Sequence, residues 1–231
     1  MKVRRLHDWT LEYREAVAIQ DRLAGEVREG PPLETAGTIA AADVSGGRRG
    51  EWIAAAVVLV DAETLEPLET RRAGMTAIWP YVPGCLSFRE IPALLEAFKR
   101  LKRRPDVVIC DGQGRAHPRR LGLASHLGLA LEVPTIGCAK SRLVGEVQGE
   151  VGEARGRRAP LVDAGERIGT VLRTRTGVKP LYVSVGHRID LASAERWVLA
   201  AATRYRLPEP SRMAHRVVTA YKKERARRGD A

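Results

Sequence analysis

The chain has 231 residues and carries 39 Lys and Arg against 28 Asp and Glu, a net charge of +11. A basic surplus favours a polyanionic partner, because each neutralised phosphate releases condensed counterions, although an Arg-rich solvated surface gives the same count. The three cysteines, Cys85, Cys110 and Cys138, lack CxxC or Cys/His spacing, which excludes a disulfide framework and a structural zinc.

Residues 8–29 have helical spacing and stop before Gly30-Pro31-Pro32. A small apolar strand, Thr38 to Ala42, ends at Asp43, and Ser45 to Gly50 reads as a turn. The β-branched run Trp52 to Val60 and a strand from Leu68 to Thr76 complete an antiparallel meander. An amphipathic helix is predicted over Phe88–Lys102, with Ile91, Leu94, Leu95, Phe98 and Leu101 on one face. Val107 to Cys110 is a short buried strand closed by Asp111, followed by a helix over Arg119–Leu131 and a strand over Pro134–Ala139. Such alternation implies parallel pairing with right-handed crossovers. Residues 145–167 leave a loop and a hairpin both open. Strands follow at Ile168–Arg173 and Leu181–Val185, and helices at 193–203 and 211–227. The longest apolar run, Ile53 to Val60, is far short of the ~18 residues of a membrane span. With no secretory h-region at the N-terminus, a soluble, cytoplasmic protein is expected. A meander followed by βαβ in one sheet is the layout of ribonuclease H-like α/β folds, expected here as one domain over 1–231.

Two carboxylates directly follow apolar strands. If the first and fourth strands are neighbours, Asp43 and Asp111 emerge at the same sheet edge. Like charges so placed repel unless a cation lies between them. Oxygen-only ligands select Mg²⁺ or Mn²⁺ over Zn²⁺, and such an ion can polarise a phosphoryl oxygen and orient water. Asp after a strand also starts turns and caps helices, and Glu90, expected to open a helix, suits the dipole there. Spacing alone therefore leaves the metal site open.

The stretch from Pro80 to Leu143 adds Pro80-Tyr81-Val82-Pro83-Gly84-Cys85-Leu86-Ser87-Phe88-Arg89-Glu90, Asp111-Gly112-Gln113-Gly114, His117-Pro118-Arg119-Arg120, Gly122-Leu123-Ala124-Ser125-His126 and Gly137-Cys138-Ala139-Lys140-Ser141. Val183-Ser184-Val185-Gly186-His187 and Pro208 to His215 follow in order. The chain closely resembles endonuclease V across nearly its whole length, least in residues 1–30 and 145–167. The resemblance implies a ribonuclease H-like fold and Mg²⁺ or Mn²⁺ dependence. It further implies DNA repair by hydrolysis of the second phosphodiester bond 3′ to deoxyinosine, leaving a 3′-hydroxyl and a 5′-phosphate. By the same resemblance Asp43, Glu90 and Asp111 are the catalytic acids, with Asp43 and Asp111 the metal ligands, and His215 is the catalytic histidine. Lys140, after its strand, is expected at the same edge, where it can neutralise phosphate or steady a leaving oxygen.

Two prolines flanking an aromatic ring make Pro80-Tyr81-Val82-Pro83 a stiff segment that holds Tyr81 outward. In the family this motif is the strand-separating wedge, filling the space vacated by an unstacked base. Leu86, Gly112, Leu123 and Gly137 match family base-pocket positions. His126 is read as a core histidine. His117, Arg119 and Arg120 are expected to begin a helix and contact phosphate. Inosine-containing RNA is the alternative substrate, a non-catalytic nucleic-acid-binding protein the alternative class, and a monomer the expected state.

Overall fold

The structure is a computed structural model that describes residues 1–9, 12–46 and 52–228. Helix α1 spans Tyr13–Ala24, shorter than the expected 8–29. Its start is fixed by Glu15, whose carboxylate accepts the Glu12 N–H at 2.7 Å. Strands β1 (Thr38–Gly46), β2 (Trp52–Asp61) and β3 (Pro67–Thr76) form the antiparallel meander. Helix α2 (Leu86–Lys99) leads to β4 (Val107–Cys110), and α3 (Leu123–Leu131) to β5 (Thr135–Ala139). β4 lies parallel to both β1 and β5.

The segment left open, 145–167, supplies β6 (Glu146–Val147) and β7 (Arg158–Asp163), which pair in antiparallel fashion. They continue a sheet through β8 (Glu166–Leu172) to β9 (Leu181–His187), which closes antiparallel on β5. The nine strands run in the order β3-β2-β1-β4-β5-β9-β8-β7-β6. Helices α4 (Leu191–Ala201) and α5 (Glu209–Arg227) end the chain. This is the mixed, helix-flanked α/β sheet expected of a ribonuclease H-like fold.

Alternation along the strands divides the core between the two faces. Ala40, Ala42, Val108 and Cys110 join α2 and α3 in one cluster, and Ile39, Ala41, Val107 and Ile109 join α4 and α5 in the other. Each fully buried Leu, Ile or Phe contributes about 1.5–3 kcal/mol. All three cysteines are buried and free. Among the described residues no helix is long and apolar enough to cross a membrane.

Two boundaries next to the site differ from the sequence reading. Asp43 does not end β1: the strand runs on to Gly46 because β2 keeps pairing with it, Asp43 opposite Ala56 and Gly46 opposite Ile53. Ser45 and Gly46 are therefore strand, and the rest of the expected turn, Gly47 to Gly50, lies outside the described residues. Helix α3 starts at Leu123, not Arg119. The preceding segment is folded back instead, with Gly122 N–H donating to the Gly114 carbonyl and Ala124 N–H to the Gln113 carbonyl.

Candidate active site

Strand parity assembles the site. Parallel pairing of β1 with β4 ends at Ala42 opposite Cys110, so Asp43 and Asp111 are the next positions on two adjacent strands, whose usual spacing is about 4.8 Å. Asp43 continues the series Ile39, Ala41; Asp111 continues Val107, Ile109; Lys140 continues Ile136, Cys138, and all six apolar residues belong to the α4/α5 cluster. Helix α5 packs on β1 and β2 and brings His215 to the same place. Its Nδ1 lies 2.8 Å from an Asp43 carboxylate oxygen. The Lys140 ammonium donates to the Asp111 carboxylate.

Glu90 arrives from the other face. It is the fifth residue of α2 rather than its opening residue, because the helix begins at Leu86. Burial is the main cause that pushes its carboxyl up to about 8, and the charges of Asp43 and Asp111 add to the rise. Asp43 is also raised, first by burial and then by Asp111, against the pull of His215 and Lys140. The three acids therefore sense one another electrostatically, and protein cations offset part of their charge, Lys140 at Asp111 and Asp43 and Arg89 at Glu90.

Among the described residues no three His, Cys, Asp or Glu side chains are gathered into a ready metal cage. The donor chemistry nonetheless fits a hard divalent cation. Asp43 and Asp111 offer carboxylate oxygens from adjacent strands, and the repulsion recorded at Glu90 is the kind that a dication relieves. Lys140, the present partner of Asp111, is an exposed side chain that can swing aside and leave the carboxylate to an ion.

Beside Asp111 opens a cavity of about 290 Å³. Leu86, Gly112 and Leu123 line it as expected, together with Tyr81, Asp111 and Lys140. Tyr81 is 68% exposed. Gly137 is not in the wall. A Cβ there would come within 2.3 Å of the Gly114 nitrogen, so this glycine lets the 112–114 loop close onto β5. That loop is further held by Ser184, whose Oγ accepts the Gly114 N–H at 2.9 Å.

His117 and Arg119 occupy a turn, not a helix start. His117 is buried with Nε2 3.0 Å from the Gly84 carbonyl, and burial, reinforced by Arg119, pushes its imidazole down to about 4. Arg119 donates to Gln20 and to the same carbonyl. Both tie the turn after the Pro-Tyr-Val-Pro segment to the body of the protein. His126 is a core histidine, bonded to Ser87 and His7.

Gln113 was not anticipated. It lines the cavity, donates to the Ser141 carbonyl at 2.9 Å, and keeps a buried Oε1 without a partner. Its signal in the sequence is a long amide between two glycines, where a side chain gains room that backbone does not occupy.

A sequence profile described as Endonuclease V matches residues 21–216. Endonuclease V of Nostoc punctiforme is 47% identical over 221 residues, covering 95% of this chain and all of the relative. The crystal structure of endonuclease V from Streptomyces avermitilis superposes with a TM-score of 0.89 at 42% identity, covering 98% of this chain and 100% of that one. The D234N variant of Ciona intestinalis endonuclease V, solved with a 23-mer DNA containing an inosine followed by a ribo-adenosine, gives 0.81 at 25% identity over 91% of this chain and 97% of that one. Nucleases of this family are generally metal-dependent. By sequence over nearly its whole length, and by fold, this chain belongs to the endonuclease V family of nucleases that hydrolyse phosphodiester bonds.

Proposed function

We propose that the protein is a DNA repair endonuclease that recognises deoxyinosine and hydrolyses the second phosphodiester bond on its 3′ side, leaving a 3′-hydroxyl and a 5′-phosphate. The observation that carries this reading is the meeting of Asp43, Asp111 and Lys140 beside a cavity whose lining includes an exposed aromatic ring. Mg²⁺, with Mn²⁺ as a substitute, is the ion assigned to Asp43 and Asp111; once bound, it supplies Lewis-acid polarisation of the phosphoryl oxygen.

The chain's own side chains do the rest. Glu90 stands behind the two aspartates as a carboxyl that keeps its proton up to about pH 8 in the ion-free protein and that a bound dication would favour in its charged form. His215 is oriented by Asp43 through Nδ1, which leaves its other nitrogen to hold or pass a proton of the attacking water. Lys140 can leave Asp111 for the phosphate or the departing oxygen. Leu86 and Leu123 supply the apolar walls of a purine pocket, and Gly112 allows backbone to approach the edge of the base. Hypoxanthine offers there a 6-oxo acceptor and an N1–H donor. His117 and Arg119, bonded to the Gly84 carbonyl, brace the turn that follows the wedge; of these two, both expected to contact phosphate, burial withdraws His117 and leaves the contact to Arg119. A cytoplasmic monomer working as one catalytic unit over 1–231 completes it.

The test uses labelled duplexes and RNA strands carrying a single inosine, with and without Mg²⁺, and maps the cut. Cutting of DNA one nucleotide beyond the inosine, only with the ion, is the expected result; cutting of RNA in preference to DNA would replace the substrate, and no cutting of either would sink the reading.

Tyr81→Ala should separate wedge from scaffold. Base–aromatic stacking is worth about 1–3 kcal/mol, so the preference for inosine over adenine duplexes should fall roughly tenfold with melting temperature unchanged. An undiminished preference counts against the wedge.

A further inference from the structure

On the far side of Lys140 from the base cavity lies a second groove of about 470 Å³, whose lining includes Lys140, Arg175, Arg206, Arg212 and Arg216 and not one acidic residue. We propose that this groove is a seat for the phosphodiester backbone of the cut strand on the 3′ side of the scissile bond, and for the 5′-phosphate end after cutting.

Several arginines elsewhere are matched with acids: Arg158 and Arg167 share Glu195, Arg115 and Arg120 share Glu166, and Arg120 also reaches Asp163. Arg175, Arg212 and Arg216 have no carboxylate partner among the described residues. Such a crowd of unmatched cations repels itself and is relieved by an anion. Two of these side chains are also preset. Arg212 has its guanidinium carbon over the Tyr205 ring, 3.1 Å from the centroid, a contact that holds the side chain in place while its N–H groups stay available to a phosphate. Arg206 is held by the Lys140 and Pro180 carbonyls at 2.7 and 2.8 Å, while its buried Nε has no partner.

Helical spacing links the groove to the catalytic centre. Arg212, His215 and Arg216 stand at i, i+3 and i+4 on α5, sharing one face, while Ala214 and Val218 are buried. His215 bonds Asp43, and Lys140 lines both cavities. The path of a strand is thus base cavity, carboxylates, cationic groove. The polarity rests on the function proposed above: with the base in the first cavity and the cut on its 3′ side, the strand beyond the cut enters the groove.

The experiment measures anisotropy of labelled inosine duplexes in EDTA, where no cutting occurs. Duplexes with full flanks are compared with duplexes truncated just 3′ of the cut position, and with others truncated 5′ of the inosine. Wild-type protein should lose affinity on 3′ truncation. In the double variant Arg175→Ala/Arg216→Ala that ratio should collapse toward one, and the salt slope of binding should fall by about 1.8, the share of two phosphate contacts on duplex DNA. A matched loss of charge, Lys102→Ala/Arg103→Ala, lies before β4 at the opposite sheet edge and should retain both the ratio and the slope. The proposal is overturned if Arg175→Ala/Arg216→Ala keeps the wild-type 3′ ratio and slope, or loses the 5′ dependence instead. Failure of the deoxyinosine reading is seen separately, as equal cutting of duplexes with and without inosine.

Discussion

Asp111→Asn is expected to slow cutting by roughly a thousandfold or more, the loss of several kcal/mol of transition-state stabilisation at about 1.4 kcal/mol per decade, while DNA binding without divalent ions is retained. The second half follows from the charges. Asp111 is the partner of Lys140 and a source of repulsion on Asp43 and Glu90. Neutralising it frees a lysine toward the phosphate and removes a negative charge from the path of a polyanion, so affinity in EDTA should hold or rise. Asp43→Asn should lose activity to a similar degree, since it also unseats His215. Single-turnover rates with saturating Mg²⁺, paired with binding in EDTA and a melting curve, check this. Both variants should melt no lower than wild type in EDTA, because each relieves like-charge crowding. Cutting at the wild-type rate by either variant would falsify the assignment of the catalytic acids; a lowered Tm with lost binding would make the residues structural instead.

The residues that make this site were legible where short-range chemistry decided their position. An apolar run broken by a carboxylate marks the end of a buried β4, and once β1, β4 and β5 are known to be parallel neighbours the two-residue period places Asp43, Asp111 and Lys140 on one face. The prolines around Tyr81 set its exposure in the same local way. The misreadings arose where pairing with a distant segment prevailed. Ser45-Gly46 looks like the start of a turn, yet β2 supplies partners as far as Ile53 and keeps it extended. Arg119 and Arg120 look like a first helical turn, but the Gly114 and Gln113 carbonyls capture the amides of Gly122 and Ala124 and delay α3 to Leu123. Gly137 belongs to a glycine motif near the base cavity, although its function is to admit the backbone of Gly114. The cationic groove was least visible of all, since Lys140, Arg175, Arg206 and the α5 arginines come from separate segments, and a count of +11 does not reveal which arginines lack acids.

Glu90→Gln should convert the electrostatic strain of the site into a measurable dependence of stability on pH. In the ion-free protein the Glu90 carboxyl sits at about 8, against an ordinary 4.5, so between these values the folded state holds a proton that the unfolded chain releases. The stability linked to that proton is fully present below about pH 4.5 and is lost as pH rises through about 8. A neutral Gln cannot lose it. In EDTA the variant should therefore match wild type near about pH 5 and exceed it near about pH 9. Solvent reaches this half-buried position, which reduces the difference to the order of 1–3 kcal/mol, or several degrees of Tm in a chain of this size. Mg²⁺ should reverse the order: above about pH 7 it offsets the charge of the three acids in wild type and raises its Tm, and it should raise that of Glu90→Gln less, because one carboxylate is missing. Melting curves across that pH range, with EDTA and with Mg²⁺, read both effects. Parallel wild-type and Glu90→Gln profiles in EDTA would mean that Glu90 titrates as an ordinary surface acid, and the electrostatic coupling of Glu90 to Asp43 and Asp111 would have to be abandoned.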